Sequence, residues 1–253
     1  MHASYRAPSR VAQVTTTFWI IKILSTGMGE TGADYLDHKY SPVLVVLAAG
    51  LALAASLIWQ LGSRYYSPLR YWLAVIMVSV FGTLAADAVH VLIGVPYWAS
   101  TAAFTLALIA VFALWRRLEG TPDMSQINST RRELIYWVAV MITFALGTAA
   151  GDWMAMGLGF GFLVGTGIFT VGYLLPLGLG RTHRLNSAVA FWLAYTFTRP
   201  MGASFADWLA LPPSRGGLGF GTLPVTVLWT VAIVAVALVH RSVNNVSNRK
   251  RRG

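Results

Sequence analysis

Eight apolar stretches alternate with short polar ones along the chain. Most are about the twenty residues needed to cross a hydrocarbon core of about 30 Å. They run from about Val14 to Leu36, Pro42 to Leu61, Tyr71 to Ile93, Pro96 to Trp115, Leu134 to Met156, Phe160 to Leu179, Ala188 to Leu211 and Thr222 to Val239. This pattern predicts an all-α, polytopic membrane protein of eight transmembrane helices in one membrane domain. The first stretch is the least apolar: it holds three Thr, Lys22 and the run from Gly27 to Asp34. Between Leu118 and Arg132 lies the one loop of any length, and it is expected to divide the chain into two halves.

The polar positions repeat. An aromatic residue and Trp are followed by Gly ten residues after the Trp, and by Asp five after the Gly. The pattern occurs at Phe18, Trp19, Gly29 and Asp34; at Tyr71, Trp72, Gly82 and Asp87; at Tyr136, Trp137, Gly147 and Asp152; and at Phe191, Trp192, Gly202 and Asp207. Four of the six Asp and four of the ten Trp fall into this register, which signals internal repetition with a period of about 50 to 60 residues. The repeats cover approximately 14–62, 70–117, 133–180 and 187–240, with a basic tail at 241–253. The match to the other three repeats makes the first stretch a span as well. With two helices per repeat, all four repeats point the same way, a parallel array.

Charge supplies the orientation. Fifteen of the nineteen basic residues fall before span one, after the even spans, or in the tail, against Lys39 and Arg215 in the opposite loops. The positive-inside rule then places both termini in the cytoplasm, on the inner side of a plasma (inner) membrane. A net charge of +10 distributed this way is an orientation signal, not a nucleic-acid surface. The chain is 56% hydrophobic and 11% charged, which leaves no room for a soluble domain. A cleavable signal peptide is not expected, because the first apolar run carries Lys22 and a repeat motif. The absence of Cys removes disulfides, thiolate metal sites and thiol nucleophiles.

The chain resembles a family of bacterial membrane proteins built from a tandem repeat of unknown function, the DUF347 repeat. That family has four copies of a two-helix unit with a characteristic Trp, matched by Trp19, Trp72, Trp137 and Trp192. The resemblance covers essentially the whole chain and implies no activity.

Candidate chemistry therefore comes from the residues. The four Trp, near the cytoplasmic ends of the odd helices, are expected to anchor in the membrane interface. Each Asp lies fifteen residues on, about 22 Å along a helix, so all four belong to the outer half at one depth. A carboxylate in a span costs at least about 2.5 kcal/mol near the centre unless it is paired or hydrated. Asp34, Asp87, Asp152 and Asp207, with Glu30 at the edge, are therefore expected to converge on one polar cavity. The residues four before each Asp, on the same helix face, are Glu30, Thr83, Thr148 and Ala203. His90, three after Asp87, is expected to be a hydrogen-bond partner. Lys22 is expected to snorkel to the headgroups, and Pro200 to break or kink its helix. Arg199 is expected to pair with the carboxylates, with Asp207 about 12 Å further along. The Gly-Leu-Gly-Phe-Gly runs at 157–161 and 217–221 read either as close helix packing or as broken backbone lining a cavity. By the first reading Gly147, Gly161 and Gly202 sit at close helix approaches.

No nucleophile–base set, phosphate loop, zinc-type His spacing or haem ligand pair is visible, so no enzyme is expected and no cofactor is indicated. The five carboxylates favour a small cation as cargo: a proton, an alkali ion or a hard divalent metal held by Asp34, Asp87, Asp152 and Asp207. Partners are the bilayer and that cation, with homo-oligomers left open and nucleic acid excluded. The other classes are a membrane enzyme or accessory acting on a lipid or quinone, and a structural or sensory protein whose Asp residues lock helices to Lys22 and Arg199.

Overall fold

The structure, a computed structural model, describes residues 9–91 and 93–250, apart from the side chains of 91 and 241–250. The described residues form eight long α-helices and short turns, without strands. They are α1 (Thr16–Lys39), α2 (Pro42–Leu61), α3 (Pro68–Val91), α4 (Tyr97–Glu119), α5 (Thr130–Asp152), α6 (Phe162–Arg181), α7 (Ser187–Ala210) and α8 (Thr222–Lys250). Their starts are encoded locally. Thr15 Oγ1 accepts from the Phe18 amide at α1, Ser129 Oγ from Arg132 at α5, and Asn186 Oδ1 from Ala188 and Val189 at α7, while Pro42 opens α2. Six of the helices are long and apolar enough to cross a membrane; α1 and α7 are as long but more polar.

The odd helices form a closed inner ring: α1 packs on α3, α3 on α5, α5 on α7, and α7 back on α1. Each even helix lies outside it, against the odd helix of the next repeat: α2 on α3, α4 on α5, α6 on α7, and α8 around on α1. The ring therefore runs continuously through the junction of α4 and α5, and the expected division into two halves is absent. The explanation is that the loop between them does not separate the helices it joins. Arg132 Nε meets Glu119 Oε2 at 2.8 Å, and Trp192 Nε1 donates to Pro122 O at 2.8 Å. Together with the N-terminal segment this loop lids the Trp end of the ring. Met124, Ile127, Val11 and Ala12 are buried in the same core as Phe18, Tyr71 and Tyr136.

The repeat glycines hold the ring together. A Cβ on Gly29 would strike Ser79, and one on Gly82 would lie 3.0 Å from Phe144 Cβ; on Gly147 it would strike Arg199, and on Gly202 Thr26. In each case the obstacle is the residue seven after the Trp of the following repeat, with repeat four closing on repeat one. This one contact, made four times, lets the backbones approach closely. Gly161 differs from the expectation. No atom lies within 4 Å of a Cβ there, and its backbone sits at φ 75° and ψ 165°, so it is needed for its conformation at the start of α6, not for packing.

Candidate functional site

The ring interior is stacked in layers set by the repeat register. At the Trp end the aromatic residue preceding each Trp points inward: Phe18, Tyr71, Tyr136 and Phe191 are all buried, and Tyr71 and Tyr136 share a 2.6 Å hydroxyl hydrogen bond. The Trp rings pack beside them, with Phe18 and Trp72 centroids 5.7 Å apart and Tyr136 and Trp192 5.9 Å apart. The four Trp thus build the ring wall, where the sequence suggested interface anchors. Trp137 and Trp192 are buried, and Trp19 and Trp72 are half-buried. Aromatic pairing and burial outweigh the interface preference because the adjacent repeat supplies rings at the same depth.

Above this layer, Lys22 is wholly buried and does not snorkel. Its Nζ donates to Thr198 Oγ1 at 3.2 Å and lies over the rings of Phe144 and Tyr195, at 4.2 and 4.4 Å. α1 turns that face into the ring, which leaves the amine no route to the headgroups. Phe144 carries a second cation, with Arg199 Cζ 5.5 Å from its centroid. α7 continues through Pro200 unbroken.

Arg199 is fully buried and organises the middle of the ring. Its Nη2 donates to Glu30 Oε2 at 2.5 Å, to Thr148 Oγ1 at 2.9 Å and to Thr83 Oγ1. Thr83 Oγ1 also donates to Glu30 Oε2 at 3.1 Å. The ion-pair partner is therefore Glu30 of the first repeat, not an Asp of its own helix, and Glu30 lies at the centre of the site and not at its edge. Glu30, Thr83 and Thr148 hold one register position, four residues before the Asp of their repeats. Helix spacing puts these three residues on the Asp-bearing face, but it says nothing about which neighbours face each other across a ring.

One turn further on come the Asp residues. Asp152 and Asp207 are buried, while Asp34 and Asp87 keep part of their surface exposed at the mouth. Glu30 and Arg199 act electrostatically on all four, and Arg215 reaches Asp34 from the rim. Asp207 Oδ1 is buried without a hydrogen-bond partner. The four share one electrostatic environment, but among the described residues no three of His, Asp and Glu come close enough to hold a metal ion. The metal-ligand cluster expected of Asp34, Asp87, Asp152 and Asp207 is thus not formed among the described residues. His90 is tied locally: its Nδ1 donates to Val95 O at 2.8 Å and its ring lies tilted against Tyr97, with centroids 4.2 Å apart.

The Gly-Leu-Gly-Phe-Gly runs fold back on the ends of α5 and α7. After a π-helical turn over Trp153–Gly157, the Phe160 and Gly161 amides donate to Met154 O and Ala155 O. Similarly, the Gly219 and Gly221 amides donate to Leu211 O and Ala210 O. Those amides are satisfied within the chain and do not line a cavity. A cavity of about 500 Å³ lies away from the carboxylates, between Gln13, Met124 and Phe191 at the Trp end.

A buried network was missed from sequence. Glu133 at the start of α5 accepts from Gln60 Nε2 at 2.8 Å and Arg10 Nη1 at 3.4 Å, fastening the N-terminal segment across α2 and α5. Glu133 and Gln60 lie at helix ends, where solvation is the ordinary reading, and no spacing signal marks them.

The fourfold register of rings, glycines and carboxylates coincides with a known sequence repeat. The model for the Repeat of Unknown Function (DUF347) matches residues 17–66, 70–121, 135–181 and 190–244. The chain belongs to the DUF347 repeat family. Each matched segment holds one odd helix of the inner ring and the even helix that follows it. No curated protein and no solved structure matches the chain.

Proposed function

We propose that this DUF347 protein is a transporter or channel for a small cation in a bacterial inner membrane, with eight spans and both termini in the cytoplasm. One observation carries the reading: carboxyl groups from all four repeats hold one register position on the ring helices, all within the electrostatic reach of Glu30 and Arg199, and one of them, Asp207, is buried with an unpartnered oxygen. The interior holds five carboxyl groups, those of Glu30 and four Asp, against two basic groups, Lys22 and Arg199, and this surplus of acidic groups favours a cation over an anion as cargo. α1 and α7 count as spans in this reading because their polar residues face the ring while α8 and α6 cover their backs. The basic residues support the orientation: Arg10, Arg64, Arg70, Arg116, Arg117, Arg181 and Arg184 lie at the Trp end, Lys39 and Arg215 at the Asp end.

The test is ion flux in proteoliposomes, with proton, potassium, magnesium and manganese gradients applied in turn. Replacing Asp34, Asp87, Asp152 and Asp207 singly by Asn removes charge and keeps size. Flux is expected to fall on the order of tenfold or more, since one ion–carboxylate contact in a low-dielectric site exceeds about 1.4 kcal/mol. Asp207→Asn and Asp34→Asn are expected to be the most affected. Four Asn variants with wild-type flux sink the reading, as does a wild-type protein that moves none of the four ions; both results return the Asp residues to a structural role.

A further inference from the structure

We propose that the layer formed by Glu30, Thr83 and Thr148 is a binding site for a guanidinium-class cation, and that Arg199 is its tethered occupant. A helix-locking ion pair needs one acid and one base. Here three oxygens, from α1, α3 and α5, meet on the single nitrogen Nη2 of Arg199. They come from three repeats at one register position, so the cradle is a feature of the ring as a whole. In the fourth repeat that position is Ala203, which offers no oxygen; the cation enters from the same helix one turn earlier.

The hold on the guanidinium is one-sided. Nε and Nη1 of Arg199 are buried without hydrogen-bond partners, and a planar ion with five donors ordinarily uses several of them. The guanidinium carbon lies over the Phe144 ring, 5.5 Å from its centroid, a cation–π contact suited to a weakly hydrated cation. An acid, two hydroxyls and an aromatic ring gathered on one guanidinium make a receptor for that ion class.

The placement also gives Arg199 a task, and this part rests on the transport reading. A cation descending from the Asp mouth meets the guanidinium before it meets the aromatic floor. It advances only by displacing the Arg199 guanidinium from Glu30, so Arg199 plugs the path. Lys22 Nζ, 4.2 Å from the centroid of the same Phe144 ring, adds a second cation beside it.

The first test does not depend on transport. The Arg199→Ala variant is purified in detergent, and thermal unfolding is followed by Trp fluorescence in low-millimolar guanidinium chloride or in sodium chloride of equal ionic strength. Wild-type protein, whose cradle is full, is expected to unfold alike in both. The variant is expected to gain about 5 °C in guanidinium over sodium, as a ligand that binds only the folded state does. Adding Glu30→Gln is expected to remove that gain. Equal response of Arg199→Ala to both salts overturns the site. So does a variant that stays unfolded when extracted in guanidinium, because a cradle must be refillable.

The second test uses Thr83→Val together with Thr148→Val, which keeps side-chain shape and the ion pair. With the plug held less firmly, flux is expected to rise severalfold. Unchanged flux, in a protein whose Asp→Asn variants do lose flux, overturns the plug. Guanidinium rescue of Arg199→Ala in a protein that transports nothing upholds the cradle and removes the transport reading alone.

Discussion

At the scale of single residues, a methyl group decides whether neighbouring ring helices meet. A Cβ at Gly202 would strike Thr26 and one at Gly29 would strike Ser79, whereas one at Gly167 in α6 would meet nothing within 4 Å. Gly202→Ala and Gly29→Ala are expected to cost about 1–3 kcal/mol each, as overpacking does. Gly167→Ala is expected to be neutral or to stabilise by about 0.4–1 kcal/mol through a stiffer unfolded chain. Melting temperatures of the three variants side by side decide the point, and three equal losses would contradict it. The Trp, Gly and Asp register was legible in the sequence because all three residues lie along one helix, where spacing is geometry. The Arg199–Glu30 pair was not, since 169 residues separate the partners and no periodicity records which helices become neighbours. Lys22 was misjudged for the same reason: its depth was readable, but the direction of its side chain depended on where α7 and α5 would stand.

At the scale of helices, hydropathy and burial divide the work. In the apolar windows of α2, α4 and α8 only 17%, 17% and 6% of residues are buried within the protein, against 61% for α5, so the even helices present the apolar outer face. α1 and α7 are more polar because they turn their polar residues inward, which explains why α1 was the weakest apolar stretch in the sequence. The bounds of α2 match the sequence reading residue for residue, while α5 ends earlier, at Asp152, with the π-helical turn completing it. Four of the turns between helices use positive-φ conformations that glycine adopts readily. Gly161 (φ 75°, ψ 165°) opens α6, in a region open almost only to glycine. Gly161→Ala is expected to destabilise by about 1–3 kcal/mol without any steric clash. Denaturant midpoints should show that loss, and a midpoint equal to wild type would mean the turn relaxes at no cost.

At the scale of the whole molecule, the ring has a mouth lined by Asp at one end and a lid of loop and N-terminal segment at the other. The proposed orientation puts the mouth outside. Because the chain has no Cys, single Cys residues at exposed Ser41 and exposed Asn128 report it directly. A membrane-impermeant maleimide is expected to label position 41 in intact cells and position 128 only after permeabilisation; the opposite result inverts the protein. Closure of the ring also imposes an order of events during biogenesis. Helix α1 leaves the ribosome well before α7 and α8, the helices that cover it. Until then Glu30 has no Arg199 and Lys22 has no Thr198. At about 5–20 residues per second, the 169 residues between Glu30 and Arg199 take roughly 10–30 s to synthesise. With α1 as one of the eight proposed spans, the nascent protein must for that interval keep a charged helix either in the insertion machinery or in the company of a chaperone, and it completes its interior only with the fourth repeat.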